Sequence, residues 1–315
     1  MNKGKYYLVL ALVCIIWGAT PACGRILALK VSPVMLTGLR FLCMSAVLFA
    51  FLIVIGKKSE LLPSRHDFAV MALMGLFGVF LHNSLLMTGV KYTTASNTAL
   101  IESIGPTVTC VLAYFVVGER LSFKGWCGIA LSCVGALSII SNGSLDILLN
   151  LSFNKGDLIV VISESMWSCY TVAGGFLSKK ASVAAATAWS SLTGAIMCLG
   201  LGICEKEWIN ATLDSYDIAA FVYLVLCSGV IAFLGWNWAA VRVGVSKAGT
   251  FVYIVPFAGA ITGFLLLHEE LFISQFIGGA VVVLGMVITT RSKLVGTTTD
   301  AGKIIADEKK TALKK

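Results

Sequence analysis

Residues Glu102–Leu121 read ESIGPTVTCVLAYFVVGERL, an apolar stretch of helix-forming length with a proline near its start and Gly-Glu-Arg at its end. The chain contains this outline twice, because Val252–Leu271 reads VYIVPFAGAITGFLLLHEEL. An offset of 150 residues aligns Pro106 with Pro256 and places a glutamate near the end of both copies. The stretch therefore belongs to a module that the chain uses twice.

The composition identifies the class of protein. Hydrophobic residues make up 58% of the 315 residues and charged residues 13%, with a mean hydropathy of +0.91. A soluble domain is about half apolar and about a quarter charged, so we predict an all-α membrane protein. The net charge of +8 would suggest nucleic-acid binding in a soluble chain. Here we expect it to hold loops on the cytoplasmic side of a lipid bilayer, with no nucleic-acid partner.

Ten apolar runs of about twenty residues are each long enough to cross a bilayer as a helix. We number them spans 1 to 10. They cover residues 6–28, 34–55, 67–89, 94–116, 123–141, 156–177, 183–204, 217–240, 244–267 and 273–290. With the N-terminus in the cytoplasm, 18 of the 24 lysines and arginines fall on the cytoplasmic side and four fall outside. The positive-inside rule therefore predicts that both termini are cytoplasmic.

The repeat extends over both halves without a gap. The same offset aligns Trp17 with Trp167, Gly24 with Gly174, Ser32 with Ser182, Thr37 with Thr187, Ser96 with Ser246, Gly128 with Gly278 and Gly135 with Gly285. Each half has five spans, so the second enters the membrane from the opposite side and forms an inverted repeat. We predict a first repeat over 1–141, a loop over 142–155, a second repeat over 156–291 and a basic, disordered cytoplasmic tail over 292–315.

At this point the residues resemble the drug/metabolite transporter superfamily, in its ten-helix form with two EamA-type repeats. The matching features are Trp17-Gly18, Arg40-Phe41, the P-x12-E-x-L pattern at Pro106, Glu119 and Leu121 and at Pro256, Glu269 and Leu271, and the glycine stripes of spans 5 and 10. The second half departs from this pattern at Ser168 and Ser190. The resemblance implies an inner-membrane carrier that works by alternating access. It also implies a cavity built by spans 1–4 and 6–9, with spans 5 and 10 at the periphery.

Ionisable side chains that break the repeat are the candidate substrate or coupling residues. These are Glu102, Glu164, Arg40, His82 and Arg25, whose repeat positions hold Val252, Cys14, Ser190, Ala232 and Gly175. Charged groups within spans are costly and by default line a pathway or pair with each other. A structural Glu102–Arg40 or Glu164–Arg25 ion pair is the alternative. Further candidate lining residues are Trp167, Asn83, Asn237 and Tyr253.

Two other sets of residues recur in both halves or interrupt helices. Pro21, Pro106 and Pro256 leave a carbonyl without its helical donor, which favours a kink beside a cavity or a kink that improves packing. Glu119 and Glu269 end the proline-containing spans at opposite faces of the membrane. They are predicted to form a gate contact or helix clamp with backbone donors or a cation, or to be interfacial charges in solvent.

Together with the resemblance, these observations predict a secondary active or facilitative transporter that moves a small molecule by alternating access, most readily an exporter of amino acids or related metabolites. A proton is the candidate coupling ion. The chain has no GK[ST] phosphate loop and no HExxH motif, so we predict no enzyme activity, cofactor or metal site. A polytopic membrane enzyme acting on a lipid or quinone, a channel, and a membrane partner without transport activity are the alternatives. The substrate, the direction of transport and the oligomeric state stay open.

Overall fold

The computed structural model describes residues 4–56, 61–102, 104–105, 108, 111–112, 115, 122–141, 143–146, 154–178, 181–205, 209, 211–243 and 250–291. Within these ranges the backbone forms helices and turns, apart from an isolated antiparallel bridge between Val31 and Ile209. The fold is an all-α membrane protein of ten spans arranged as two inverted five-helix repeats.

The helices of the first half are Gly4–Gly18 and Thr20–Ala28 in span 1, Pro33–Val54 in span 2, Arg65–Met74, the π-helix Gly75–Asn83 and Ser84–Tyr92 in span 3, Ala95–Glu102 in span 4 and Phe123–Ile140 in span 5. Those of the second half are Lys155–Gly174 in span 6, Val183–Gly202 in span 7, Ser215–Val222, the π-helix Tyr223–Ile231 and Ala232–Val243 in span 8, the 3₁₀ turn Thr250–Tyr253 and Ile254–Leu267 in span 9, and Ile273–Arg291 in span 10.

Five of these segments are long and apolar enough to cross a membrane by themselves. They are Gly4–Ala28, Pro33–Val54, Arg65–Tyr92, Val183–Gly202 and Ser215–Trp236. Span 6 is more polar, because it carries Lys155, Asp157 and Glu164. Large apolar side chains such as Phe51 and Phe264 are exposed on the outside of the bundle, where they would meet lipid rather than water.

The spans pair across the two halves in a pattern that obeys the repeat. Span 2 packs on span 7, span 4 on span 9 and span 5 on span 10. Span 1 packs on span 8, and its repeat equivalent, span 6, packs on span 3. Each contact therefore has a symmetry mate, as expected for two halves related by a pseudo-two-fold axis in the membrane plane. We call the face on which span 1 begins the N-side face, and the other the opposite face.

Helix starts repeat as well, because the capping residues do. Ser32 and Ser182 cap spans 2 and 7, and Ser64 and Asp214 cap spans 3 and 8. Each of these side chains accepts a hydrogen bond from a backbone N–H of the first turn, which would otherwise lack a partner. The four caps lie 150 residues apart in two pairs, so the repeat fixes where these spans begin.

Two aspartates at equivalent positions tie the halves together at the two faces. At the N-side face, Asp67 accepts hydrogen bonds from the backbone N–H and the hydroxyl of Ser178, both at 2.9 Å. At the opposite face, Asp217 accepts one from Lys30 Nζ at 2.7 Å. Both links join a loop of one half to a helix start of the other.

Spans 5 and 10 pack backbone against backbone through glycine. A methyl group added at Gly128 would lie 2.5 Å from the carbonyl oxygen of Gly285, and one added at Gly285 would lie 2.5 Å from that of Gly128. Small residues permit such close approach between membrane helices. Neither glycine lies beside the central cavity, so this pair of spans belongs to the scaffold.

Candidate substrate-binding site

The central cavity lies where the spans are interrupted. It has a volume of about 140 Å³, below the roughly 300–1,000 Å³ of sites for drug-sized ligands. Its described lining residues are Trp17, Thr20, Arg40, His82, Asn83, Leu86, Glu102, Glu164, Trp167, Ser228, Phe233, Trp236, Val252 and Val255. They come from spans 1, 2, 3, 4, 6, 8 and 9. The break in span 1, both π-helices and the 3₁₀ turn of span 9 all border this space.

Side chains donate hydrogen bonds to backbone carbonyls of both π-helices. Asn83 donates from Nδ2 to the carbonyl oxygen of Gly78 within the first π-helix, at 2.6 Å. Trp17 donates from Nε1 to the carbonyl oxygen of Ser228 in the second, at 3.1 Å. The hydroxyls of Thr20 and Ser228 lie 2.7 Å apart. Irregular backbone at membrane depth is tolerated where it is satisfied in this way beside a cavity.

Two charged side chains face the cavity with an atom that lacks a partner. Arg40 is 3% exposed, and neither its Nη1 nor Oε2 of Glu102 has a hydrogen-bond partner. The two side chains line the same cavity. The guanidinium carbon of Arg40 lies 4.7 Å from the centre of the Phe41 ring, which holds the group by a cation–π contact. A polar gap therefore remains in the cavity between a donor and an acceptor.

A second carboxylate belongs to a separate cluster with His82. Oε1 of Glu164 lies 3.8 Å from His82 Nδ1. The same Nδ1 lies 3.0 Å from the carbonyl oxygen of Ser163, whose hydroxyl donates to the carbonyl oxygen of His82 at 2.8 Å. A carbonyl can only accept, so this network assigns the proton to Nδ1. The carboxylate also lies against Gly105, where an added methyl group would be 2.5 Å from Oε2.

Aromatic rings form the rest of the wall. Trp17 contacts Phe233 edge-on at 5.5 Å and Trp236 at 5.2 Å between ring centres. Trp167 lies 5.1 Å from the ring of His82 and 6.4 Å from Phe233. These rings form a continuous surface from span 6 through span 8 to span 1, which would present apolar faces to a bound molecule.

Arg25 lies away from the described cavity lining and binds Glu269 near the opposite face. Its Nη1 donates to Oε1 of Glu269 at 2.5 Å. The same carboxylate accepts from the backbone N–H groups of Ala95 at 2.8 Å and Ser96 at 3.0 Å, and from the Ser96 hydroxyl at 2.8 Å. Glu269 therefore caps the first turn of span 4 and joins it to spans 1 and 9. Glu102 and Glu164 are not the partners of Arg25.

The remaining predicted residues are placed as follows. Pro21 lies in the first turn of Thr20–Ala28, because the chain breaks the span at Ala19 instead of bending a continuous helix. Pro256 lies in the first turn of Ile254–Leu267 for the same reason, with the 3₁₀ turn before it. Residues Pro106 and Glu119 fall outside the described residues, and so do the side chains of Asn237 and Tyr253.

Several lining residues were missed at the sequence level, although the repeat could have found them. Four pairs of repeat-equivalent residues line the cavity: Trp17 and Trp167, Asn83 and Phe233, Leu86 and Trp236, and Glu102 and Val252. The cavity thus lies near the axis that relates the halves, so the repeat partners of the candidates Asn83, Glu102 and Trp167 could have been named as lining residues from the sequence. Thr20, Ser228 and Val255 carried no signal in the sequence.

Comparison with known proteins places this architecture in context. A model of the EamA-like transporter family matches the chain twice, at residues 4–141 and 154–291. The transporter YyaM of Bacillus subtilis, named as uncharacterized, is 27% identical over 289 residues, which are 91% of this chain and 93% of that protein. An uncharacterized transporter of Archaeoglobus fulgidus is also 27% identical, over 92% of this chain and 98% of its own.

Two further similarities concern location and fold. The protein named "Uncharacterized inner membrane transporter YedA" in Escherichia coli K12 is 26% identical over 89% of this chain and 88% of its own length. A solved structure titled "Crystal structure of protein" aligns with a TM-score of 0.63 at 21% identity, over 91% of this chain and 97% of that one. At that identity the structural match shows the fold alone.

Proposed function

Because the chain belongs to the EamA-like transporter family, we propose that it exports amino acids or related small metabolites by alternating access. The observation that carries this proposal is the cavity that both halves line, with Arg40, Glu102 and Glu164 around one small space. Charged side chains within a bilayer are costly unless they serve a pathway or a partner. Inverted-repeat transporters bind their substrates near the midplane at the interface of the halves, and this cavity occupies that interface.

The opposite face carries a contact suited to a gate. Glu269 holds Arg25 of span 1 and the first turn of span 4 in one cluster, and its side chain is 6% exposed. These elements come from both halves, so moving one half against the other has to lengthen some of these bonds. We assign this Arg25–Glu269 clamp to the gate on that side. By the positive-inside rule the opposite face is extracytoplasmic and the termini are cytoplasmic.

The charges in the cavity support proton coupling. Two carboxylates, Glu102 and Glu164, share the cavity with one guanidinium, that of Arg40, so full ionisation would leave one negative charge uncompensated by that guanidinium. A proton or a substrate amine could neutralise it. When a proton on Glu164 and an amine at Glu102 neutralise the cavity in turn, outward movement of an amine exchanges for inward movement of a proton. Glu164 and His82 are the proposed proton carriers, because they lie 3.8 Å apart.

The proposal is tested by flux measurements in proteoliposomes. The purified protein should exchange radiolabelled leucine or phenylalanine saturably, with stimulation by unlabelled amino acid on the other side and by a pH gradient. Glu102→Gln should lower the flux and its response to the gradient, whereas Glu270→Gln, at an exposed site that does not line the described cavity, should change neither. Unsaturable flux would indicate a channel. If Glu102→Gln behaves like the parent protein, the role given to Glu102 is wrong.

A further inference from the structure

At two of the four equivalent pairs that line the cavity, the two halves contribute opposite chemistry. Glu102 and Asn83 of the first half have Val252 and Phe233 as their repeat partners in the second. Arg40 has Ser190 as its partner, which does not line the described cavity. At these positions the first half supplies charge and hydrogen-bonding groups and spans 8 and 9 supply apolar surface, whereas span 6 of the second half adds the Glu164 carboxylate.

Arg40 and Glu102, the charged wall of the cavity, each carry an atom without a hydrogen-bond partner. Arg40 Nη1 and Glu102 Oε2 are buried and unpartnered, and both side chains line the same cavity. A buried charged group without full hydrogen bonding is strongly unfavourable. A molecule with one carboxylate and one ammonium group would satisfy both atoms together, because it carries an acceptor for Arg40 and a donor for Glu102.

The second carboxylate is held in another place. Glu164 lies against Gly105 and near His82, and Ser163 binds that histidine from the same helix. The apolar wall beyond the charged pair consists of Phe233, Trp236 and Val252. It offers no charged group to a side chain that reaches it.

We infer that the cavity recognises an amino acid zwitterion with an uncharged, apolar side chain. Its carboxylate binds Arg40, its ammonium group binds Glu102, and its side chain lies against Phe233, Trp236 and Val252. The inference rests on the proposed transport function and adds to it the orientation of the substrate between the halves. It predicts that a compound lacking either charge binds poorly, and that a charged side chain is rejected.

Binding of a matched series of compounds tests this inference without any transport step. L-leucine carries both charges, 3-methylbutylamine lacks the carboxylate and 4-methylpentanoate lacks the amine, while the apolar part is the same in all three. L-lysine adds a charge to the side chain. Affinities are measured with protein in lipid nanodiscs at pH 7, from the fluorescence of Trp17, Trp167 and Trp236 in the wall. We expect leucine to bind at least about 10-fold more tightly than the other three, since each lost charged hydrogen bond weakens binding by about 10- to 100-fold.

Variants then assign each charge to its partner. Arg40→Gln should remove the advantage of leucine over 3-methylbutylamine and keep its advantage over 4-methylpentanoate, and Glu102→Gln should do the reverse. Arg40→Lys should recover part of the loss, because it keeps the charge without the forked geometry. The ratio of two dissociation constants in one variant does not depend on the fraction of protein that has folded. Ser190→Ala, at the repeat position of Arg40, is the control and should leave all ratios unchanged.

The outcomes separate the inference from the proposed function. If the parent protein binds 3-methylbutylamine or 4-methylpentanoate as tightly as leucine, or binds lysine equally well, the inference is overturned. If the protein instead shows coupled flux of another class of solute, the proposed transport function stands and the inference of a zwitterionic substrate is overturned. If neither variant changes the ratio assigned to it, the placement on Arg40 and Glu102 is wrong even where leucine binds.

Discussion

Replacing Glu269 by glutamine tests the clamp at the opposite face. Its two carboxylate oxygens accept four hydrogen bonds, from Arg25, the backbone of Ala95 and Ser96, and the Ser96 hydroxyl. An amide keeps one acceptor oxygen and points an NH₂ group at the donors on the other side. One backbone N–H then loses its partner, at about 1–3 kcal/mol, and the ion pair loses its charge. Arg25 is 28% exposed, so solvent reduces that second loss.

The sum is a destabilisation of about 2–3 kcal/mol, or a melting temperature lower by on the order of 5 °C. Thermal unfolding in nanodiscs, followed by tryptophan fluorescence, measures it. Glu270→Gln removes the same charge one residue later at an exposed position and should change stability by less than about 0.5 kcal/mol. If the two variants melt within 1 °C of each other, roughly the error of such a scan, the clamp does not carry the energy assigned to it.

Three further predictions concern the cavity and the surface. Gly105→Ala should displace the Glu164 carboxylate, which an added methyl would approach to 2.5 Å. This variant should abolish stimulation of flux by a pH gradient, and undiminished stimulation would contradict the prediction. It should lower the free energy of unfolding by about 1 kcal/mol or less, because the flexible end of the Glu164 side chain can move. Arg40→Leu and Glu102→Leu should each destabilise by about 3–5 kcal/mol, because each leaves one buried charge of this pair without the other. The double variant removes both charges and should unfold at a higher temperature than either; additive losses in thermal scans would refute this. The pKa of Lys30 is raised by its hydrogen bond to an aspartate of span 8, so its contribution to stability is present below about pH 10.4 and is lost as the pH rises through the raised value. A Lys30→Met variant should therefore show a smaller alkaline fall in melting temperature than the parent, and equal falls would argue against the link.

The sequence predicts the spans because their signal is local. A membrane helix needs about twenty apolar residues wherever it stands in the chain, and the caps at Ser32 and Ser182 mark helix starts by neighbouring residues alone. The π-helices of spans 3 and 8 carry no such signal. Carbonyl groups in them accept hydrogen bonds from distant side chains such as Trp17, which is 211 residues from Ser228 in the chain. An interruption of this kind depends on contacts that only the folded bundle creates.

Ion pairs show the same division between local and long-range information. The repeat identifies Arg25 and Glu164 as unusual, and a pair between them is a reasonable expectation from charge alone. The structure instead places Arg25 on Glu269, because both lie near the opposite face, whereas Glu164 lies in the middle of span 6. Depth in the membrane decides which charges can meet. Counting residues from each span end would have favoured Glu269.

The repeat also explains why only part of the binding site could be predicted from the sequence. Symmetry requires that equivalent positions such as Glu102 and Val252 approach the same central space, and both do. It places no requirement on their chemistry. Two halves that exchange conformations have to share packing, so the glycines and helix caps recur, but a single asymmetric substrate touches each half differently. Selection on transport would therefore preserve positions in both halves and diversify the side chains, and comparing equivalent positions locates the cavity where single motifs do not. On that argument, exchanging Glu102 and Val252 should keep a carboxylate at the cavity while it moves that carboxylate from the first half to the second. Binding of leucine should then fall by at least about 10-fold. Arg40 stays in the first half, but position 102 no longer offers a carboxylate to the ammonium group of leucine.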